Sequence, residues 1–295
     1  MSPRIAIAIA TAGRRDILSD TVRFVARQQR RADELLICPA GAQDIDPACL
    51  AGYPGESRVV LGPVGLPAQR NMLLARTDAD IVVFLDDDFL PAPDYLAEVE
   101  ALFDARPRTV VATGHVVADG ILGPGIDFAE GHRLIEALGE NAAPAQPLPE
   151  YGAYGCNMVV RMAPVRAHAL RFDEALPLYA WLEDIDFSRQ LARHGEIVRS
   201  LRLRGVHLGT KKAGRSPGLR LGYSQIANPV YLARKGTLSW KRALGQMSRN
   251  LLANGVRSLR PEPWVDRKGR LRGNLTALAH LAGGGLHPRR VLDFA

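Results

Sequence analysis

Over the first ninety residues, short unbroken apolar runs alternate with stretches whose apolar positions recur at helical spacing. Arg4 to Ala10 reads as a strand, Thr11-Ala12-Gly13-Arg14-Arg15 as a loop, and Asp16 to Gln29 as a helix. Leu35 to Cys38 and Arg58 to Leu61 are further strands, and Pro67 to Ala75 is a helix with proline in its first turn. Ile81 to Leu85 is continuously apolar and rich in β-branched residues, the pattern of a central strand covered on both faces. Such alternation predicts an α/β fold with a mostly parallel sheet. Further on, the pattern predicts a helix from Pro93-Asp94 that stops before Pro107 and a strand over Thr109 to Thr113. A short helix over Glu130 to Leu138 follows, then a variable connection from Asn141 to Pro149 and a strand over Gly155 to Val160. Trp181 to Arg193 reads as a helix ended by His194-Gly195, and the tail carries at least two amphipathic helices, Ala227 to Arg234 and Ser239 to Ala253.

The strand at Ile81 runs straight into Asp86, Asp87 and Asp88. Ligands of open α/β sheets collect beyond the carboxyl ends of strands, and this is such an end. In extended backbone Asp86 and Asp88 share one face while Asp87 points away. Paired hard oxygens relieve their repulsion by holding Mn²⁺ or Mg²⁺, above all where substrate phosphates complete the shell. A solvated turn, or a cap for the helix that follows, is the plainer use of the same residues. A second acidic cluster, Glu183, Asp184 and Asp186, opens the helix in WLEDIDFSRQLARHG, where amide donors stabilise anions. Capping accounts for one acid; three, interleaved with Trp181 and Phe187, point to a site holding a general base. His207, in RLRGVHLGTKKAGR, either joins a metal shell or is a structural imidazole. The other histidines have no zinc spacing.

Composition changes the picture in one respect. The 295 residues are 47% hydrophobic and 23% charged, as in an ordinary folded protein, and the three cysteines fit neither a zinc cluster nor a disulfide framework. A reducing, cytoplasmic setting suits them; no secretory leader or membrane-spanning run is expected. The net charge of +7, however, is unevenly placed: from Ile197 to Pro261 there are fourteen Lys and Arg and no Asp or Glu. A field of one sign favours an anionic partner, whether phosphorylated substrate, phospholipid or nucleic acid.

Several of these segments, in this order, resemble the inverting glycosyltransferases of family 2, which have the GT-A nucleotide-diphospho-sugar transferase fold. IAIATAGR is similar to the family's first strand and nucleotide-facing loop, which implies donor contacts for Thr11, Ala12, Arg14 and Arg15. LPAQRNMLLARTDADIVVFLDDD resembles its alanine-arginine-asparagine helix and aspartate-x-aspartate motif. The resemblance sets Arg70, Asn71, Asp86 and Asp87 beside the nucleotide and Asp86 and Asp88 at the metal, with His207 as third protein ligand. YGCNMVVRMAPV resembles the acceptor-side strand and brings in Asn157; WLEDIDFSRQLARHG resembles the glutamate-aspartate motif, with Asp184 as base, Glu183 beside it and Trp181 on the acceptor side. Lys211 and Lys212 are expected at the acceptor as well. One departure stands out: where the family carries an acid after its second strand, this chain reads ICPAGAQD, so Asp44 is the substitute for contacting the base.

The resemblance implies transfer of a sugar, with inversion, from a UDP-, GDP- or dTDP-sugar to an acceptor hydroxyl, assisted by Mn²⁺ or Mg²⁺. It assigns 1–220 to the catalytic domain, with a Rossmann-like nucleotide half over 1–115 and an acceptor half over 116–220. Residues 221–295 are then a basic helical extension. The tail, WVDRKGRLRGNLTALAHLAGGGLHPRRVLDF, is similar to endings of bacterial members that assemble polysaccharide and capsule. A polyprenyl-diphosphate-linked saccharide acceptor suits both basic regions, and Trp240, Lys241, Arg242, Leu251 and Leu252 suit an anionic membrane surface or a homodimer contact. Two rivals remain at this point. A nucleotidyltransferase would show a fuller glycine-rich phosphate loop than Thr11 to Arg15. A nucleic-acid-binding protein or nuclease would interleave aromatics with its arginines, and this chain, 6% aromatic, does not.

Overall fold

A computed structural model describes residues 2–210 and 217–294. The chain opens with β1 (Ile5–Thr11), α1 (Arg15–Val25), β2 (Glu34–Pro39), β3 (Glu56–Val59), α2 (Leu66–Leu74) and β4 (Ile81–Asp86). There follow β5 (Phe89–Pro91), α3 (Tyr95–Ala105), β6 (Thr109–Asp119), α4 (Phe128–Glu136), β7 (Leu148–Pro149), β8 (Asn157–Arg161) and α5 (Met162–Ala167). The last elements are α6 (Glu183–Leu191), β9 (Glu196–His207), α7 (Gly218–Lys235), α8 (Trp240–Arg257) and α9 (Arg267–Ala282).

The strands form one sheet in the order β3-β2-β1-β4-β8-β6-β9-β5, with β7 paired to β9. Strands β3, β2, β1 and β4 are parallel, as the alternating pattern predicts; β8 is antiparallel to both its neighbours, which makes the sheet mixed beyond β4. The apolar runs of β1 and β4 are buried on both faces, which is why they carry no polar alternation. One core layer packs Ile5, Ile7, Ile9, Val83 and Leu85 under α1 and α3, and the other packs Ala8, Val82 and Phe84 with Phe172 and Phe187.

Register places the chemistry. Ala10 lies opposite Asp86 in the parallel β1/β4 pair, so the loop after β1 and the aspartates leave the sheet side by side. Phe89 lies opposite His207 in the β5/β9 pair, and Asp119 opposite His207 in the β6/β9 pair. Asp86 ends β4, but Asp87 and Asp88 form a turn, which corrects the extended backbone expected there. The chain must reverse at that point for β5 to run antiparallel along β9. Strand β5 stops at Pro91 on the sheet edge, where a missing amide costs nothing.

The strand expected over Thr109 to Thr113 runs on to Asp119, with register shifts against β9 after Thr109, Thr113 and Val116. Polar positions near those shifts hide the continuation from a strict two-residue period. Helix α6 starts at Glu183, two residues later than expected, because Ala180 and Leu182 take left-handed backbone, φ 51° and 76°. Helices α7, α8 and α9 pack on one another around Tyr223, Ile226, Val230, Met247 and Ala277. A second cluster joins Leu232, Leu238 and Ala243 to Leu176, Ala180 and Leu182, so the last helices support the segment that precedes α6. No helix among the described residues is long and apolar enough to cross a membrane.

Candidate active site

Two cavities meet above the carboxyl end of β4. The smaller, about 290 Å³, is lined by Thr11, Ala12, Arg14, Gln69, Asp86, Asp87, Leu178 and Arg220 among others. The larger, about 790 Å³, runs past Arg70, Tyr154, Gly155, Trp181 and Asp184 to Glu150, Arg199 and Gln246. Leu66, Asp86 and Tyr179 belong to both walls.

At the junction, ligand atoms of Asp86, Asp88 and His207 lie within 4.8 Å of one another. His207 Nε2 is 3.4 Å from Asp88 Oδ1 and 3.8 Å from Asp86 Oδ2. Its Nδ1 is 2.9 Å from Asp119 Oδ1, and the Tyr154 hydroxyl donates to Asp119 Oδ2 at 3.0 Å. A carboxylate behind the imidazole keeps the proton on Nδ1 and turns Nε2 toward the two aspartates, the arrangement found behind metal-binding histidines. Asp88 Oδ2 accepts the Thr210 amide at 2.8 Å, whereas Oδ1 is buried without a hydrogen-bond partner. An orphaned carboxylate oxygen facing a second carboxylate and an imidazole fits a divalent cation, and two hard oxygens with one nitrogen suit Mn²⁺ or Mg²⁺. In the absence of a cation, burial works against a charge on His207, but Asp119, Asp88 and Asp86 prevail and raise it to about 10. Asp119 is held low by His207, against its own burial.

Asp87 turns the other way. Its carboxylate accepts from Thr11 Oγ1 at 2.5 Å and pairs with Arg14 at 2.8 Å, and its carbonyl accepts from Thr21 at 2.8 Å. Burial lifts its carboxyl while Arg14 opposes. Asp87 thereby fastens the loop after β1 to the end of β4. Arg14 also lies 3.3 Å from Asp88, so one guanidinium spans two of the three aspartates.

Arg70, 2% exposed, is the buried centre of the other half. It reaches Glu183 at 2.6 Å and Asp86 at 3.3 Å and donates to the Gly155 carbonyl at 2.8 Å. Phe84 and Phe172 flank its guanidinium at 5.5 Å. Glu183 therefore faces inward as the close partner of the Arg70 guanidinium; burial drives its carboxyl upward, Arg70 pulls it down, and Asp184 and Asp86 push it up. Asp184 faces the larger cavity. Its oxygens accept from the Gly155 amide at 2.9 Å and the Ile185 amide at 2.7 Å, and burial still raises it above an ordinary aspartate. Gly155 permits this closeness, since a Cβ there would sit 3.3–3.4 Å from Asp184, Arg70 and Glu183.

Several other residues have places of their own around the site. Asn71 holds Phe172 through both backbone groups at 2.9 Å, and Asn157, fully buried, accepts from Thr113 at 2.8 Å beneath the floor that Tyr154 covers. Asp44 accepts the Gly13 amide at 2.9 Å and so braces the loop after β1. Arg15 opens α1 with its side chain largely in solvent, 3.5 Å from Asp46. Trp181 is half-buried on the wall of the larger cavity, its carbonyl taken by Asn228 at 2.8 Å. Lys211 and Lys212 lie outside the described residues. Sequence reasoning missed Gln69, which bridges the Thr11 and Cys38 carbonyls at 3.0 and 2.7 Å, as well as Asp119, Tyr154 and Tyr179. Gln69 sits next to Arg70 in the motif helix and had a signal; the others are brought in by strand register and a loop.

An α/β sheet with carboxylates at its strand ends, a second acid at a helix start and two adjoining cavities has the parts that a two-substrate group-transfer site needs. The model of Glycosyl transferase family 2 matches residues 6–163, and the chain belongs to that family. The fold is shared with the mannosyltransferase PcManGT from Pyrobaculum calidifontis, solved in complex with GDP-Man and Mn²⁺: TM-score 0.59 at 17% identity over 99% of this chain and 79% of that one. It is also shared with S. aureus TarS 1-349 in complex with UDP-GlcNAc, TM-score 0.59 at 12% identity over 98% and 82%. A further structure of TarS 1-349 gives 0.54 at 14% identity over 95% and 92%. No curated protein sequence matches the chain.

Proposed function

We propose that this transferase moves a sugar, with inversion, from a nucleoside-diphosphate donor held in the smaller cavity to a saccharide hydroxyl held in the larger one. The observation that carries the reading is the placement of Asp184 on the wall of the larger cavity, beyond Asp86: a carboxylate raised above the ordinary range by burial faces that space, across a junction of metal-type ligands. The donor complexes of the two structural neighbours support a nucleotide sugar as the donor class.

On this reading Thr11, Ala12, Arg14 and Gln69 line the nucleotide side, with Asp44 and Asp87 fixing the loop that carries them. Asp86, Asp88 and His207 would hold Mn²⁺ or Mg²⁺, which supplies charge neutralisation for the departing diphosphate. Asp184 takes the acceptor proton as the hydroxyl attacks the face of the sugar opposite the diphosphate. Glu183 acts through Arg70: the pair fixes the start of α6 and hence the aim of Asp184. Tyr154, Tyr179 and Trp181 offer ring faces for a saccharide, and residues 221–295 are assigned as the extension that closes the far end through Gln246. A lipid-linked saccharide of surface polysaccharide synthesis, met at the inner face of the membrane, is the acceptor we infer.

Calorimetry against UDP-, GDP- and dTDP-sugars, with Mn²⁺ and then with EDTA, tests the donor side. Binding of one nucleotide sugar that disappears with EDTA is expected; no binding by folded protein to any of them would overturn the reading.

A further inference from the structure

Helix α8 carries a row of large apolar side chains that the described residues leave half to mostly exposed. Trp240, Leu244, Leu252 and Val256 are 49, 55, 69 and 60% exposed, and Leu259, just beyond the helix, is 84% exposed. At 3.6 residues per turn Leu244, Leu252 and Val256 fall within about 120° of one another on the side away from the core, with Trp240 at the margin of that band, and at 1.5 Å per residue the row is about 24 Å long. The opposite face, Ala243, Met247 and Asn254, is the one buried against α7 and α9. A stripe this long is more than the scattered apolar exposure of an ordinary surface.

The charge around it is of one sign. Lys241 rises within this band and Arg249 and Arg260 lie at its edge; none of the three makes an ion pair with any described residue, and the chain has no acid from Ile197 to Pro261. Farther round, Arg257 and Arg267 are neutralised by Glu262 at 3.0 and 2.8 Å, so that acid is engaged away from the cations beside the apolar row. We infer that the outer face of α8 docks on an anionic lipid surface, the helix lying in the headgroup plane with Trp240 and the leucines inserted and Lys241, Arg249 and Arg260 on the phosphates. A second copy of the chain is the poorer occupant, because a two-fold contact through this face would set two basic rims against each other. Headgroups of opposite sign complement the rim, and an amphipathic helix of this kind binds by apolar burial and charge together. Gln246, on another side of α8, lines the larger cavity. Docking therefore brings that cavity within about one helix diameter, 10 Å, of the headgroups. The use of that closeness, reach to a lipid-borne acceptor, rests on the proposed transferase reading; the docking itself does not.

Flotation of the full chain with phosphatidylcholine vesicles, with and without phosphatidylglycerol, tests the docking. Expected is co-flotation with the anionic vesicles, weakened by high salt. Two double variants, Leu244→Ser/Leu252→Ser and Lys241→Gln/Arg249→Gln, should each weaken binding, the second by about 30-fold, while circular dichroism and metal-dependent nucleotide-sugar binding stay as in the parent. Absence of binding to anionic vesicles overturns the inference, as does binding that neither variant weakens. So does a dimer that the leucine variant splits without any change in vesicle binding. Failure of nucleotide-sugar binding alongside intact flotation would count against the transferase reading alone.

Discussion

At the scale of single residues, the two acids at the start of α6 have opposite surroundings, and their substitutions should separate. Asp184→Asn loses the proton acceptor and, because its Nδ2 cannot accept, one of the two amide contacts, so transfer should fall by about 10²–10⁴-fold while donor binding by calorimetry is unchanged. Glu183→Gln leaves Arg70 buried with half its compensation, and breaking a buried pair costs about 3–5 kcal/mol; its first sign should be a lower unfolding midpoint. The acids themselves were legible, because three carboxylates with aromatic neighbours exceed what a cap requires. Their division of labour was not, since it depends on which one meets Arg70, a residue 113 positions away in the chain.

His207 gives the pH prediction at the same scale. Its folded value of about 10 lies above the ordinary 6.5, so the stability that its charge contributes is full below about 6.5 and is lost as pH rises through 10. EDTA-treated protein should therefore show an unfolding midpoint that falls over this range, with a shallower fall in His207→Gln. Cation binding must displace the proton from Nε2, so Mn²⁺ affinity should rise with pH. Asp119→Asn should weaken that affinity about 10–100-fold without removing a ligand; unaltered Mn²⁺ titrations would count against the metal site. Asp119 had no signal of its own in GHVVADG, because only the pairing of β6 with β9 sets it behind the imidazole.

At the scale of elements, the amino-terminal half was readable because each buried parallel strand is an unbroken apolar run, as in IAIAIAT and IVVFLD. Strand β5 and the long β6/β9 pair were harder: the first is three residues, and the second breaks register at three places. The second half of α7 and most of α8 were visible from their period, but α9 and its joint with α7 were not. There Gly222 and Gly273 let the backbones touch, and a methyl on Gly273 would collide with the Leu219 carbonyl. Gly273→Ala should lower stability by about 1–3 kcal/mol, measured by urea unfolding. Ala180→Gly should act in the other direction on its own residue, since a left-handed non-glycine costs about 1–2 kcal/mol. A higher midpoint with slower transfer would show that the segment before α6 is held taut for the site's sake.

At the scale of the whole molecule, the shared wall of the two cavities has a kinetic meaning. Leu66, Asp86 and Tyr179 face both spaces, so whatever fills the smaller one becomes part of the surface that the larger one offers. The second substrate then meets a finished wall only after the first is seated. Initial-rate plots should accordingly follow a sequential, compulsory-order scheme: the nucleoside diphosphate product competes with the donor and is noncompetitive toward the acceptor, and the acceptor binds poorly to the empty protein. On the proposed reading, a partition built of three residues thus sets the sequence in which the reactants arrive and the released nucleotide departs.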